Sequence, residues 1–276
     1  MAPTRAAAAA HRPSPFSREV RRWRTLRRMS QLELATLAGT TQRHLSFIES
    51  GRSAPGRPMV VRLAESLALS LRERNALLLT AGYAPAYEES PRDGAAIEPA
   101  MTALRSILTG HLPYPAVVAG PRGELVLANA AFEVLTEGAA ARLLEPPVNV
   151  LRLALHPEGM GPRVLNLAAW GRHVTESLRA RAAAHPDRGL DALAAELAGY
   201  LPAGAPPGPD HLGFAVPLRL RTAGGELRLL TTLTSFATAV DVTLAELHLE
   251  AFLPADPETA ELLRRRAAAR AAAPTG

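Results

Sequence analysis

Between Ser30 and Gly51 the chain carries two helix starts and two helix stops in close succession. Ser30-Gln31-Leu32-Glu33 is a capping box, in which the Ser30 hydroxyl takes the Glu33 amide proton and the Glu33 carboxylate reaches back. The run continues through Leu34, Ala35, Leu37 and Ala38 and stops at Gly39. Thr40-Thr41 restarts it, and Gln42-Arg43-His44-Leu45-Ser46-Phe47-Ile48-Glu49-Ser50 runs to a second stop at Gly51. Two short helices joined by a glycine-containing turn have helix-turn-helix geometry. In the second helix Leu45 and Ile48 are spaced to face a core, which puts Gln42, Arg43, Ser46 and Phe47 on the opposite side. Gln and Arg near a helix N-terminus match the edges of adenine and guanine in a major groove, and the N-terminus itself favours a phosphate. A helix pair with a merely solvated polar face has the same periodicity.

Charge is segregated along the chain. Of the overall +5, residues 1–75 carry +9 and the remaining residues −4. A compact basic segment joined to a mildly acidic one points to a polyanion partner for the first alone, although a solvated basic face would give the same balance. The chain has no cysteine, which excludes disulfide frameworks, thiolate metal sites and cysteine nucleophiles. No apolar run is long enough to span a membrane, and the N-terminal alanine run lacks the Leu/Val core of a signal peptide, so a cytoplasmic protein is expected.

Residues 1–15 read as a loose tail and 16–82 as a closely punctuated helical domain. Pro85, Pro91, Gly94 and Pro99 interrupt any period over 83–99, which reads as a linker. A second domain follows over 100–255. It opens with a helix at Ala100–Leu108, then extended runs at Tyr114–Ala119 and Glu124–Ala128 around a turn at Pro121–Gly123. Helical text fills Ala130–Tyr200. Three further extended runs come at Phe214–Leu220, Glu226–Ser235 and Thr243–Phe252, the first two joined through Ala223-Gly224-Gly225. Residues 256–276 read as a helix and tail. Two strands, several helices and three more strands is the order of a PAS-like antiparallel sheet, one choice among several α+β arrangements.

The details of the first domain go further. Ser30-Gln31, Thr41-Gln42 and Ile48-Glu49-Ser50-Gly51-Arg52 together resemble the lambda-repressor-like, XRE-type regulators. The resemblance implies an all-α domain of five helices that binds an operator as a homodimer. It places Gln31 and Arg52 near phosphates and Gln42, Arg43 and Phe47 toward bases, with Phe47 standing where a polar residue is common. Ser30, Thr41, His44 and Ser46 complete the expected DNA-facing set. It also implies that Arg24 pairs with Glu49 as a structural ion pair. Ala81-Gly82-Tyr83-Ala84-Pro85 is similar to the narrower MmyB-like group, and the likeness continues through Pro146-Pro147-Val148-Asn149-Val150-Leu151-Arg152, His156-Pro157-Glu158-Gly159-Met160, Asp241-Val242-Thr243-Leu244 and Glu250-Ala251-Phe252-Leu253-Pro254-Ala255-Asp256. This implies a PAS-like sensor for a small apolar, fatty-acid-like ligand. Ala119-Gly120 and Ala237 depart from the group's usual acidic and glycine residues.

Polar anchors for such a ligand are few. Asn149, Arg152 and His156 recur at i, i+3 and i+7, and an arginine there would clamp a carboxylate. Equally, Asn149 would cap a helix, Arg152 would bridge elements, and His156 before Pro157 would end the helix. Trp170 and His173, at i and i+3, are expected at a pocket mouth, with core packing as the other role for Trp170. Thr231, Thr232 and Thr234 are explained by strand propensity as well as by hydrogen bonding. The chain carries no G-x-S-x-G, Walker, G-x-G-x-x-G or H-E-x-x-H text, and its histidines lack metal spacing, so neither an enzyme nor a cofactor is expected. Scattered carboxylates such as Asp241 and Glu246 leave an unrecognised enzyme open, and a second domain that only dimerises is the other alternative.

Overall fold

The computed structural model describes residues 13–202, 215–236 and 238–272. The chain divides into two compact units. The first comprises residues up to Glu89 together with Val240–Val242, and the second holds the remainder.

The first unit contains five helices: α1 (Pro15–Leu26), α2 (Gln31–Leu37), α3 (Gln42–Glu49), α4 (Arg57–Ser66) and α5 (Leu71–Thr80). Their starts follow from capping. Ser14, Ser30, Thr41 and Ser70 each accept a backbone N–H from the first turn, and both Ser30–Glu33 and Ser70–Glu73 form complete capping boxes. Gly39 and Gly51 end α2 and α3 with positive φ, a backbone state that only glycine adopts without strain. Each helix contributes one apolar face to a common core, including Val20 and Trp23 of α1, Leu34 of α2, Leu45 and Ile48 of α3, Leu63 of α4 and Leu77 of α5. Part of the expected linker is held on this unit: the Asn75 carboxamide accepts the N–H groups of Ala86 and Tyr87 and donates to the Tyr87 carbonyl.

The second unit is built on a five-stranded antiparallel sheet: β1 (Ala116–Ala119), β2 (Leu125–Ala128), β3 (Leu218–Thr222), β4 (Gly225–Ser235) and β5 (His248–Pro254), in the order β2-β1-β5-β4-β3. This is the PAS-like arrangement expected from the strand order. Period-two alternation sends successive side chains to opposite faces. Ala116, Val118 and Ala251 pack beneath α6 (Glu98–Gly110) through Met101, Leu104 and Leu108. Val117, Phe252, Leu227 and Leu229 face the other way, toward α7 (Glu133–Thr136), α8 (Val150–Leu155), α9 (Leu167–Ala184) and α10 (Arg188–Gly199). The last helix, α12 (Pro257–Ala272), adds Leu262 and Leu263 to that core, and its Arg266 and Arg270 pair with Glu137 and Glu133.

One expected strand differs. Thr243–Phe252 reads as a single extended run, but Val242–Ala245 forms a helical turn, α11, and β5 begins only at His248. The Val242 N–H donates to the Glu88 carbonyl and the Thr243 hydroxyl to the Ser90 carbonyl, so this stretch is held by residues 88–90 and not by a neighbouring strand of the sheet. A shift of the β1–β2 register between Val118 and Ala119 marks the unusual Ala119-Gly120 corner. Ala237 and Phe214 lie outside the described residues.

Candidate DNA interface and ligand cavity

Helix α3 is fixed from behind and open in front. Leu45 and Ile48 are fully buried, whereas Gln42 and Arg43 are exposed and Ser46 and Phe47 are partly so. The buried carboxylate of Glu49 anchors the helix end. It accepts from Arg24 Nε at 2.6 Å and Nη2 at 2.9 Å, and Gln31 Nε2 donates to the same carboxylate at 2.8 Å. Arg24 Nη1 also donates to the Met29 carbonyl, which ties α1 to the turn before α2 as well as to α3. One amide hydrogen of Gln31 is thus committed to Glu49. Thr41 caps α3 by accepting the His44 N–H at 3.1 Å, and the His44 ring shares a 2.9 Å hydrogen bond with the Thr40 hydroxyl. The Ser30 hydroxyl accepts from the Glu33 N–H. Arg43 and Arg52 flank the Phe47 ring at 5.5 and 5.9 Å, and neither has an ion-pair partner among the described residues. The exposed face of α3 therefore presents Gln42 and a cation–ring–cation row, with its charge unspent.

In the second unit a cavity of about 210 Å³ lies between the sheet and the helices. One water needs only ~10–15 Å³ on such a measure, so the space suits a larger molecule. Its floor is one face of three adjacent strands: Val117 of β1 opposite Glu250 of β5, Leu233 of β4 on Glu250's other side, and Thr231 opposite Phe252. Its roof is one stripe of α9, formed by Trp170, His173, Val174, Ser177, Leu178 and Arg181. Leu153 and Met160 close one wall. Trp170 is deeply buried, whereas His173, Ser177 and Leu233 are exposed and form the opening.

Two charged side chains face this apolar space. Arg181 Nη2 donates to the Pro121 carbonyl at 2.7 Å and lies 3.4 Å from His248 Nε2. Its Nε and Nη1 make no hydrogen bond among the described residues. Burial lowers the Arg181 pKa, but an arginine stays charged. Glu250 forms no side-chain hydrogen bond or ion pair among the described residues, and burial pushes its carboxyl up from the ordinary range against the opposing pull of Arg181.

Of the expected anchors, the structure brings Trp170 and His173 to the cavity and leaves Asn149, Arg152 and His156 out of its lining. Helix α8 ends at Leu155, because a residue before proline is driven out of the helical region, so the expected i, i+3, i+7 face does not extend to His156. Asn149 caps α8 by accepting the Arg152 N–H. Arg152 is engaged by Glu196, at 2.6 Å from Nε and 2.8 Å from Nη2, and Tyr200 Oη donates to the same carboxylate at 2.7 Å. His156 packs edge-on against Tyr200. The cavity arginine is Arg181. Its signal was the spacing from Trp170 through Val174 and Leu178, which continues the same helical stripe at i+11. Thr231 reaches the cavity, while Thr232 belongs to the opposite face and donates to the Ala251 carbonyl.

Residues 100–265 match the MmyB-like transcription regulator ligand binding domain, and residues 20–74 match a helix-turn-helix family. The chain belongs to the MmyB-like transcription regulators. It is a DNA-binding regulator with a ligand-binding second domain. No curated protein matches the chain. Among solved structures, the regulator is similar to the restriction-modification controller protein C.AhdI from Aeromonas hydrophila, at 29% identity over 21% of this chain and 89% of that one, with a TM-score of 0.21. It is also similar to an RNA-binding light-oxygen-voltage receptor, at 16% identity over 93% of this chain and 63% of that one, with a TM-score of 0.29. Among the described residues no His/Asp/Glu group is placed to hold a metal, and no helix is long and apolar enough to cross a membrane.

Proposed function

We propose that this regulator acts in the cytoplasm as a homodimer, reads an operator through α3, and senses a small apolar, fatty-acid-like molecule in the second domain. The observation that carries the reading is the cavity itself: an apolar space with one arginine, Arg181, whose Nε and Nη1 are uncommitted. A guanidinium fork suits a carboxylate, and a long apolar wall suits a hydrocarbon chain. On this reading Gln42, Arg43 and Phe47 meet base edges, and Ser30, Gln31, Thr41, His44, Ser46 and Arg52 position the helix on the backbone. Half-sites lie about one helical turn apart. The second domain binds and does not catalyse.

Calorimetry with a series of saturated fatty acids tests the ligand assignment. Affinity should rise by up to about 0.8 kcal/mol per methylene until the cavity is full. Arg181→Ala should weaken the acids far more than Arg152→Ala does. Acids that fail to bind, or that bind with no dependence on chain length, would contradict the assignment. Turnover of a bound molecule would contradict the non-catalytic reading.

A further inference from the structure

The cavity wall carries a carboxyl group beside its arginine, and this bears on what an acid must bring with it. Glu250 and Arg181 line the same space, yet no ion pair joins them. Val117 and Leu233, its register partners on the flanking strands, give Glu250 apolar neighbours on either side. Among the described residues few charged or titratable groups face Glu250. From β5 itself comes His248, two residues back on the same face. From α9 come Arg181 and, at the opening, His173. Glu124, beside β2, acts on Arg181, and Glu246 acts on His248. The flanking strands β1 and β4 contribute only Val117, Leu233 and the neutral Thr231 to the lining. Burial and Arg181 both lower the His248 pKa, favouring a neutral imidazole next to the guanidinium. Arg181 is thus the one fixed cation near the site among the described residues, facing one carboxyl already in place.

We propose that Glu250 makes binding of an acid proton-coupled: the ligand's carboxyl and that of Glu250 share one proton in front of Arg181. The inference rests on the acid-binding reading above. Its physical reason is that two carboxylates in one desolvated space cannot both stay ionised against a single cation, as in paired catalytic carboxylates. The stored proton comes from solvent, so the complex holds one proton more than free protein and free carboxylate. Whichever oxygen carries it, the balance is the same. An alcohol of equal length brings no charge and requires no proton. Glu250 on this view is a specificity residue that couples acid binding to pH.

The test is calorimetry on the full chain with decanoic acid and decan-1-ol at about pH 6 and about pH 8, each in two buffers of different ionisation enthalpy. The acid should bind more weakly at the higher pH, by up to about a hundredfold for one proton taken up over two pH units, while the alcohol is unaffected. Glu250→Gln should abolish the uptake and make the acid's affinity independent of pH. The proton count on the unaltered protein stands even if that variant folds poorly. Binding of both molecules with no uptake and no pH dependence would overturn the inference and leave acid binding intact. Binding of neither at either pH would overturn the acid-binding reading, and the inference with it.

Discussion

At the scale of single residues the first unit separates side chains that build the domain from those that the proposed reading turns toward DNA. Arg24 and Glu49 build. Their side chains are only 14% and 4% exposed, and the arginine is shared between the carboxylate and the Met29 carbonyl. Removing Arg24 strands a buried carboxylate, so Arg24→Ala should cost about 3–5 kcal/mol, with Gln31 recovering a small part. Arg18, whose exposed guanidinium donates to the Pro13 carbonyl, is the control. Equal thermal shifts for Arg24→Ala and Arg18→Ala would refute the structural role. On the proposed reading Arg43 and Arg52 face the operator. Arg43→Ala should lose ~1–3 kcal/mol on the cognate operator and relax the preference at one base pair. Arg52→Ala should weaken cognate and random duplexes alike and reduce the salt slope by about one. Binding titrations at several salt concentrations read both, and interchanged behaviour would reverse the assignments.

Among elements, the legible parts were those with local signals. Caps at Ser30 and Thr41 and stops at Gly39 and Gly51 placed α2 and α3 to within a residue or two, since each acts through neighbours in sequence. The succession of strands along the chain was also legible, because turn residues and strand-length apolar runs are local, but their order in the sheet, with β5 between β1 and β4, was one choice among several. What was not legible depends on partners distant in sequence. Arg152 sits one turn into α8 with the look of a pocket anchor, but Glu196 of α10 claims it, and nothing near either residue announces the other. Arg181 was overlooked for the converse reason: it lies in an arginine- and alanine-rich stretch, and only the sheet opposite gives it a role. The Arg152–Glu196 contact makes its own prediction. The arginine and the Tyr200 hydroxyl hold the Glu196 pKa at about 2, below the unfolded value, so the contact stabilises fully above about pH 4.3 and is lost as pH falls toward 2. The pair is partly exposed, which limits the gain to about 1 kcal/mol. The melting temperature of the wild type should exceed that of Glu196→Gln near neutral pH, and the gap should close in acid. A gap that is constant with pH would mean that Glu196 contributes packing and no charge.

For the molecule as a whole, sequence and structure describe a division of labour. A basic five-helix unit exposes Arg43 on α3 and Arg52 just beyond it, and a separate sheet-based unit encloses an apolar cavity. Cavity and DNA surface are regulatory only if they are thermodynamically linked, which requires the ligand to bind the DNA-competent and incompetent states with unequal affinity. By reciprocity, operator binding must then alter ligand affinity by the same factor. The direct measurement is an operator titration of the full chain with and without a saturating fatty acid, with cavity occupancy verified by calorimetry under the same conditions. The account predicts a change in operator Kd of at least about fivefold, of either sign, which Arg181→Ala loses at the same acid concentration. An unchanged operator Kd with the cavity occupied would contradict it.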